Sequence, residues 1–93
     1  MSIIIYTDGS AKGNPGRGGY GVVMLSGKHR KEISKGFLLT TNNRMELLAV
    51  IVGIESVKKL NSEIVVYSDS KYVVNAIEKG WLSEITQIQT FFV

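Results

Sequence analysis

An α/β fold with a mixed sheet ordered 3-2-1-4 and two helices is what this 93-residue chain predicts. Three observations carry the prediction. Two apolar runs, Ile3-Ile4-Ile5-Tyr6-Thr7 and Ile64-Val65-Val66-Tyr67-Ser68, each end in an aspartate, Asp8 and Asp69. Between them lies an apolar stretch, Met45–Val52, in which Glu46 is the one charge and which has helix-cap residues in front of it. Between the first run and that stretch, glycine-rich punctuation separates two further strand-like segments.

Each element follows in order. Residues 2–7 are continuously apolar, the pattern of a strand covered on both faces. Residues 9–21 hold six of the ten glycines and the only proline, which predicts a turn-rich connection. Tyr20 to Leu25 reads as a second strand, Ser26 to Arg30 as a polar turn, and Lys31 to Leu39 as a third strand, so the three form an antiparallel meander. Thr40-Thr41-Asn42-Asn43 supplies helix N-cap residues, and a helix runs on to about Lys59. Asn61 and Ser62 make a turn, Glu63 to Ser68 is the fourth strand, and a second helix from Ser70 is stopped by Gly80. One helical crossover between the first and fourth strands lets them pair in parallel, which sets Asp8 and Asp69 at the same edge. Sites of α/β sheets lie beyond the carboxyl ends of strands. The tail from Leu82 to Val93 has helical spacing at Ile85, Ile88 and Phe92 but strand-favouring composition, and both readings stay open.

Composition narrows the chemistry. No cysteine is present, which removes disulfides, thiolate zinc sites and thiol catalysis. No apolar run approaches a membrane span of roughly 20 residues, and the first residues lack the basic start of a signal peptide. A cytoplasmic protein with no membrane partner is expected. The net charge of +3 is uneven: residues 1–44 carry +5 and residues 45–93 carry −2. A basic half suits a polyanion, although a solvated lysine-rich hairpin has the same composition.

The carboxylates are the chemical signal. Glu46 is the only charge from residue 45 to 54. Carboxylates beside buried elements are costly unless something positive neutralises them, and three that converge suit a divalent cation with oxygen ligands. Capping competes for Glu46, which follows Asn43 at capping-box spacing. Gly16-Arg17-Gly18-Gly19-Tyr20-Gly21 fits G-x-G-x-x-G, but a strand follows it where a dinucleotide site needs a helix. Too little chain is present for a kinase. His29, in a basic turn, reads as a solvated side chain.

The motifs taken in order are more specific than any one of them. Thr7-Asp8-Gly9-Ser10, Gly13-Asn14-Pro15-Gly16, Gly18-Gly19-Tyr20-Gly21, Thr41-Asn42-Asn43-Arg44-Met45-Glu46-Leu47 and Ser68-Asp69-Ser70-Lys71-Tyr72-Val73 closely resemble type 1 ribonuclease H over roughly residues 1–81. The resemblance implies metal-dependent endonucleolytic hydrolysis of the RNA strand of RNA–DNA hybrids. It implies that Asp8, Glu46 and Asp69 are catalytic and hold Mg²⁺, with Mn²⁺ as a substitute, and that Gly9 adjoins the metal. It assigns Asn14, Asn42 and Asn43 to RNA 2′-hydroxyls, Thr41 to a DNA-strand phosphate and Trp81 to the DNA strand. Leu39 departs from the pattern, since members often carry arginine there. The family's fifth strand, last helix, a histidine-bearing loop and the fourth carboxylate fall outside the resemblance. The expectation is therefore one shortened ribonuclease H-like domain over residues 1–93, lacking a fifth strand. A fragment that binds nucleic acid or a partner chain without efficient turnover is the alternative, and a wider-specificity nuclease of the same superfold a third reading. Because a four-stranded sheet leaves the fourth strand as an apolar edge, residues 85–93 or a second copy, as a homodimer, are expected to cover it.

Overall fold

A computed structural model describes residues 2–57, 63–68, 70–76 and 89–92. Its elements are β1 (Ser2–Gly13), β2 (Gly16–Ser26), β3 (His29–Thr40), α1 (Asn42–Glu55), β4 (Glu63–Tyr67), α2 (Lys71–Ala76) and β5 (Gln89–Phe92). The sheet order is β3-β2-β1-β4-β5. β1, β2 and β3 are antiparallel neighbours, and β1 pairs with β4 in parallel from Ser2↔Glu63 to Tyr6↔Tyr67.

The predicted 3-2-1-4 order holds, and the expectation of a missing fifth strand is corrected. β5 pairs in parallel with β4, from Glu63↔Gln89 to Val66↔Phe92. Residues 89–92 are thus strand, and they cover the β4 edge as the first of the two expected alternatives, residues 85–93 rather than a second copy. The physical reason is the unpaired row of backbone donors and acceptors that β4 would otherwise present. The part of the tail before residue 89, including Leu82, lies outside the described residues, as does the predicted stop of the second helix at Gly80.

The turn-rich reading of residues 9–21 is also corrected. β1 and β2 run on through the glycines, pairing Asp8↔Gly21, Ser10↔Gly19 and Lys12↔Arg17, and only Asn14 and Pro15 form the turn. Glycine weakens a strand interior but does not forbid a ladder whose partner is already in register. At Gly18 a side chain is excluded outright, because a Cβ would fall 2.5 Å from the Ser10 carbonyl oxygen.

Alternation along the strands decides the core. Ile3 and Ile5 of β1, Val22 and Met24 of β2, and Ile64 and Val66 of β4 point to one face and are buried. Ala49, Val50 and Ile54 of α1 and Val73 of α2 close over them. Each of the larger of these side chains contributes on the order of 1.5–3 kcal/mol by leaving water. α1 is apolar on nearly every side, with Leu47, Leu48, Ile51 and Val52 half-buried beside its core-facing row. None of the described helices is long and apolar enough to cross a membrane.

Candidate active site

The helix start decides what Glu46 is free to do. The N-cap is Thr41, whose backbone is extended and whose Oγ1 accepts a hydrogen bond from the Arg44 N–H at 3.2 Å. The Met45 N–H donates to the Thr41 carbonyl at 3.1 Å, the first full turn of α1. Asn43 is therefore already helical, and the residue at capping-box spacing from the true cap is Arg44. The competing capping role for Glu46 falls away. Glu46 is half-buried on the second turn of α1.

Gly9 brings that turn to the strand. A Cβ on Gly9 would lie 2.5 Å from the Met45 carbonyl oxygen and 2.7 Å from the Glu46 nitrogen. Only a residue without a side chain lets β1 touch the helix backbone there. The contact seats Asp8, the preceding residue, next to the turn that carries Glu46. Asp8 is exposed and stands on the sheet face opposite the core. Among the described residues neither carboxylate has an ion-pair or hydrogen-bond partner; the one ion pair there joins Arg30 to Glu32 at 3.2 Å, away from the site. Asp8 and Glu46 come from separate elements whose backbones meet at the Gly9 contact. Hard oxygen donors of this kind suit Mg²⁺ or Mn²⁺, so the residues present fit the ion that the resemblance implies. Asp69, the third expected ligand, lies outside the described residues. It follows Tyr67, the last β4 residue paired with β1, by two positions in the chain.

A second link ties the strand to the helix. The Ala11 N–H of β1 donates to Asn42 Oδ1 of α1 at 3.3 Å. A backbone N–H can only donate, so it fixes which amide atom faces it and leaves the Asn42 NH₂ group as the outward-facing donor. Asn42 and Asn43 are both exposed. Asn14 is exposed at the tip of the β1–β2 turn. It is three residues beyond Ala11, about 10 Å farther along at ~3.4 Å per residue. Trp81 lies outside the described residues. The structure thus joins β1 to the start of α1 at two places, Gly9 against Met45 and Glu46 and Ala11 against Asn42, with Asp8 beside the first and Asn14 at the tip of the β1–β2 turn.

Two features of the site were not readable from residue types. Asp8 borders an open trough of about 520 Å³ whose lining includes Gly19, Gly21, Ser34 and Gly36. A Cβ on Gly21 would meet nothing within 4 Å, so neither packing nor backbone angle demands glycine directly across from Asp8. Glycine in a strand often marks a place that something else approaches closely. Tyr6 and Tyr67, each two residues before an aspartate in the chain, stack with ring centroids 4.8 Å apart and planes 13° from parallel. The juxtaposition of two tyrosines along separate strand runs was present in the sequence, but their register was not. Leu39, where the family pattern often has arginine, is 70% exposed and lines a groove with Thr40 and Arg44.

Known proteins are similar to this chain in sequence and in fold. The RNase H family model matches residues 1–91. Ribonuclease H of Syntrophus aciditrophicus is 65% identical over 79 residues, covering 85% of this chain and 45% of that protein. Ribonuclease H of Desulforamulus reducens is 66% identical over 79 residues, covering 85% of this chain and 49% of its own length. The chain therefore spans about half the length of these curated relatives. Among solved structures, an N-terminal RNase H domain from Mycobacterium tuberculosis superposes with a TM-score of 0.81 at 26% identity, covering 99% of this chain and 81% of that one. LC11-RNase H1 in complex with an RNA/DNA hybrid superposes with a TM-score of 0.69 at 25% identity, covering 98% and 84%. With the strand order, the Gly9 contact and these matches in agreement, the chain belongs to the ribonuclease H family.

Proposed function

We propose that this chain hydrolyses the RNA strand of RNA–DNA hybrids endonucleolytically, using Mg²⁺ or Mn²⁺ held by Asp8, Glu46 and Asp69. The observation that carries the reading is the seating of Gly9 on the Met45–Glu46 backbone, which brings the β1 segment carrying Asp8 against the helix turn carrying Glu46. A divalent ion held by these residues would supply a lowered pKa for bound water and positive charge beside the phosphate. The chain's own part is to fix the ligands and to select the strand. Asn42 offers an N–H donor to a 2′-hydroxyl oxygen, the group that separates RNA from DNA. Asn14 and Asn43 extend the same contact along the groove. The Thr41 hydroxyl, accepting from Arg44, keeps its proton for a phosphate oxygen of the DNA strand, and Trp81 contacts that strand as well. A hybrid bound to a solved relative supports the substrate class. A cytoplasmic location fits the reading.

The test is cleavage of an end-labelled hybrid with Mg²⁺ and with Mn²⁺, beside duplex DNA and duplex RNA at matched salt, because phosphate contacts alone respond to salt. Cleavage internal to the RNA strand, lost with chelator and lost in Asp8→Asn, is expected. Unchanged cleavage in Asp8→Asn would falsify the site. Tight hybrid binding with no cleavage in either metal instead favours the alternative of a binding fragment.

A further inference from the structure

The parallel ladder between β1 and β4 ends at the pair Tyr6↔Tyr67. Beyond that pair β1 continues against β2 alone, through Asp8↔Gly21. Two contacts close the junction. The Tyr6 and Tyr67 rings stack at 4.8 Å, and Thr7 Oγ1 donates to the Tyr67 carbonyl at 3.1 Å. The tyrosines are 44% and 37% exposed and lie on the face away from the core, so core packing does not account for them. Asp8 follows Tyr6 by two residues on that same face, and Asp69 follows Tyr67 by two in the chain. The stack and the hydrogen bond therefore sit where β4 leaves the sheet beside the Asp8 segment of β1.

We propose that Tyr6 and Tyr67 are positioning residues, a stacked clamp that fixes the C-terminal end of β4 against the middle of β1 beside Asp8 and so preorganises the metal site. The proposal rests on the reading of Asp8 as a metal ligand. Ring stacking does the work and the exposed hydroxyls do not, which makes phenylalanine a silent replacement and leucine a damaging one. An aromatic pair is worth enough to shift an equilibrium by about two- to tenfold, which bounds the effect.

The experiment is direct Mn²⁺ binding, followed by electron paramagnetic resonance on metal-stripped full-length chain without nucleic acid. Tyr67→Leu and Tyr6→Leu are compared with Tyr67→Phe and Tyr6→Phe, each first shown to be folded by its thermal transition in chelator. Two leucine variants, one per strand, keep the test alive if one fails to fold. The expected result is Mn²⁺ affinity about two- to tenfold weaker in the leucine variants, parental affinity in the phenylalanine variants, and unchanged KM for hybrid at saturating metal. Leucine variants that bind Mn²⁺ as tightly as the parent overturn the clamp and leave the metal reading standing. Phenylalanine variants as weak as leucine also overturn it. A parent chain that binds no Mn²⁺ overturns the metal reading and the clamp with it.

Discussion

Gly9 is the residue at which sequence, packing and chemistry meet most closely. Its missing Cβ lets β1 touch the backbone of Met45 and Glu46, and the exposed Asp8 inherits its place from that contact. Gly9→Ala is expected to destabilise the fold by about 1–3 kcal/mol, the usual cost of forcing atoms into filled space. It should also cut hybrid cleavage, because β1 and α1 must separate to admit the methyl group. Urea unfolding and a cleavage assay check both halves, and an alanine variant with parental stability and turnover would show that the contact is dispensable. Asp8→Asn gives the complementary case. Asp8 is exposed and has no partner among the described residues, so parental stability with lost cleavage is expected. Asn42 separates binding sense from fold. Asn42→Asp keeps an oxygen for the Ala11 N–H at the price of the outward donor, so it should fold normally and lose its preference for hybrid over duplex DNA at matched salt. Retained preference in that variant, measured by fluorescence anisotropy, would count against a donor role.

At the scale of elements, the start of α1 determines the site's geometry. Thr41 caps the helix, which sets its first turn at Asn42 and its second at Glu46. Thr41→Ala removes the acceptor for the Arg44 N–H and is expected to cost about 1 kcal/mol of stability. Thr41→Ser keeps the acceptor and should stay near the parent. Thermal unfolding of the two variants distinguishes capping from simple loss of a methyl group, since a serine variant as unstable as alanine would argue against the hydrogen bond. The capping box that Asn43 and Glu46 spell in the sequence does not form, because Thr41 already meets the first unpaired donors of the helix.

For the whole molecule, the fifth strand decides whether the sheet ends in an exposed apolar edge. β4 has Ile64 and Val66 fully buried and pairs along its outer side with β5. Removing residues 89–93 unpairs that side. The shortened chain is expected to self-associate at micromolar concentration and to unfold more readily, as open apolar edges recruit other strands. Light scattering and thermal unfolding check this, and a monomer as stable as the parent would show that β5 contributes little.

The amino-acid sequence by itself determined the strand order β3-β2-β1-β4, the apolar helix between β3 and β4 and the spelling of the ribonuclease H motifs. These are local signals: alternation, cap residues and turn residues act over a few neighbours, and the parallel pairing follows from a single crossover. It also singled out Asp8, Glu46 and Asn42 as candidate site residues, through motif spelling. Only the tertiary structure showed that Gly9 seats the strand on the helix, that the Ala11 N–H orients the Asn42 amide, and that Tyr6 stacks on Tyr67. Each depends on registering chain segments more than 30 residues apart. It also showed the glycine-rich segment to be strand and residues 89–92 to be a fifth strand, because backbone groups left unpaired by local preference are claimed by a neighbouring ladder.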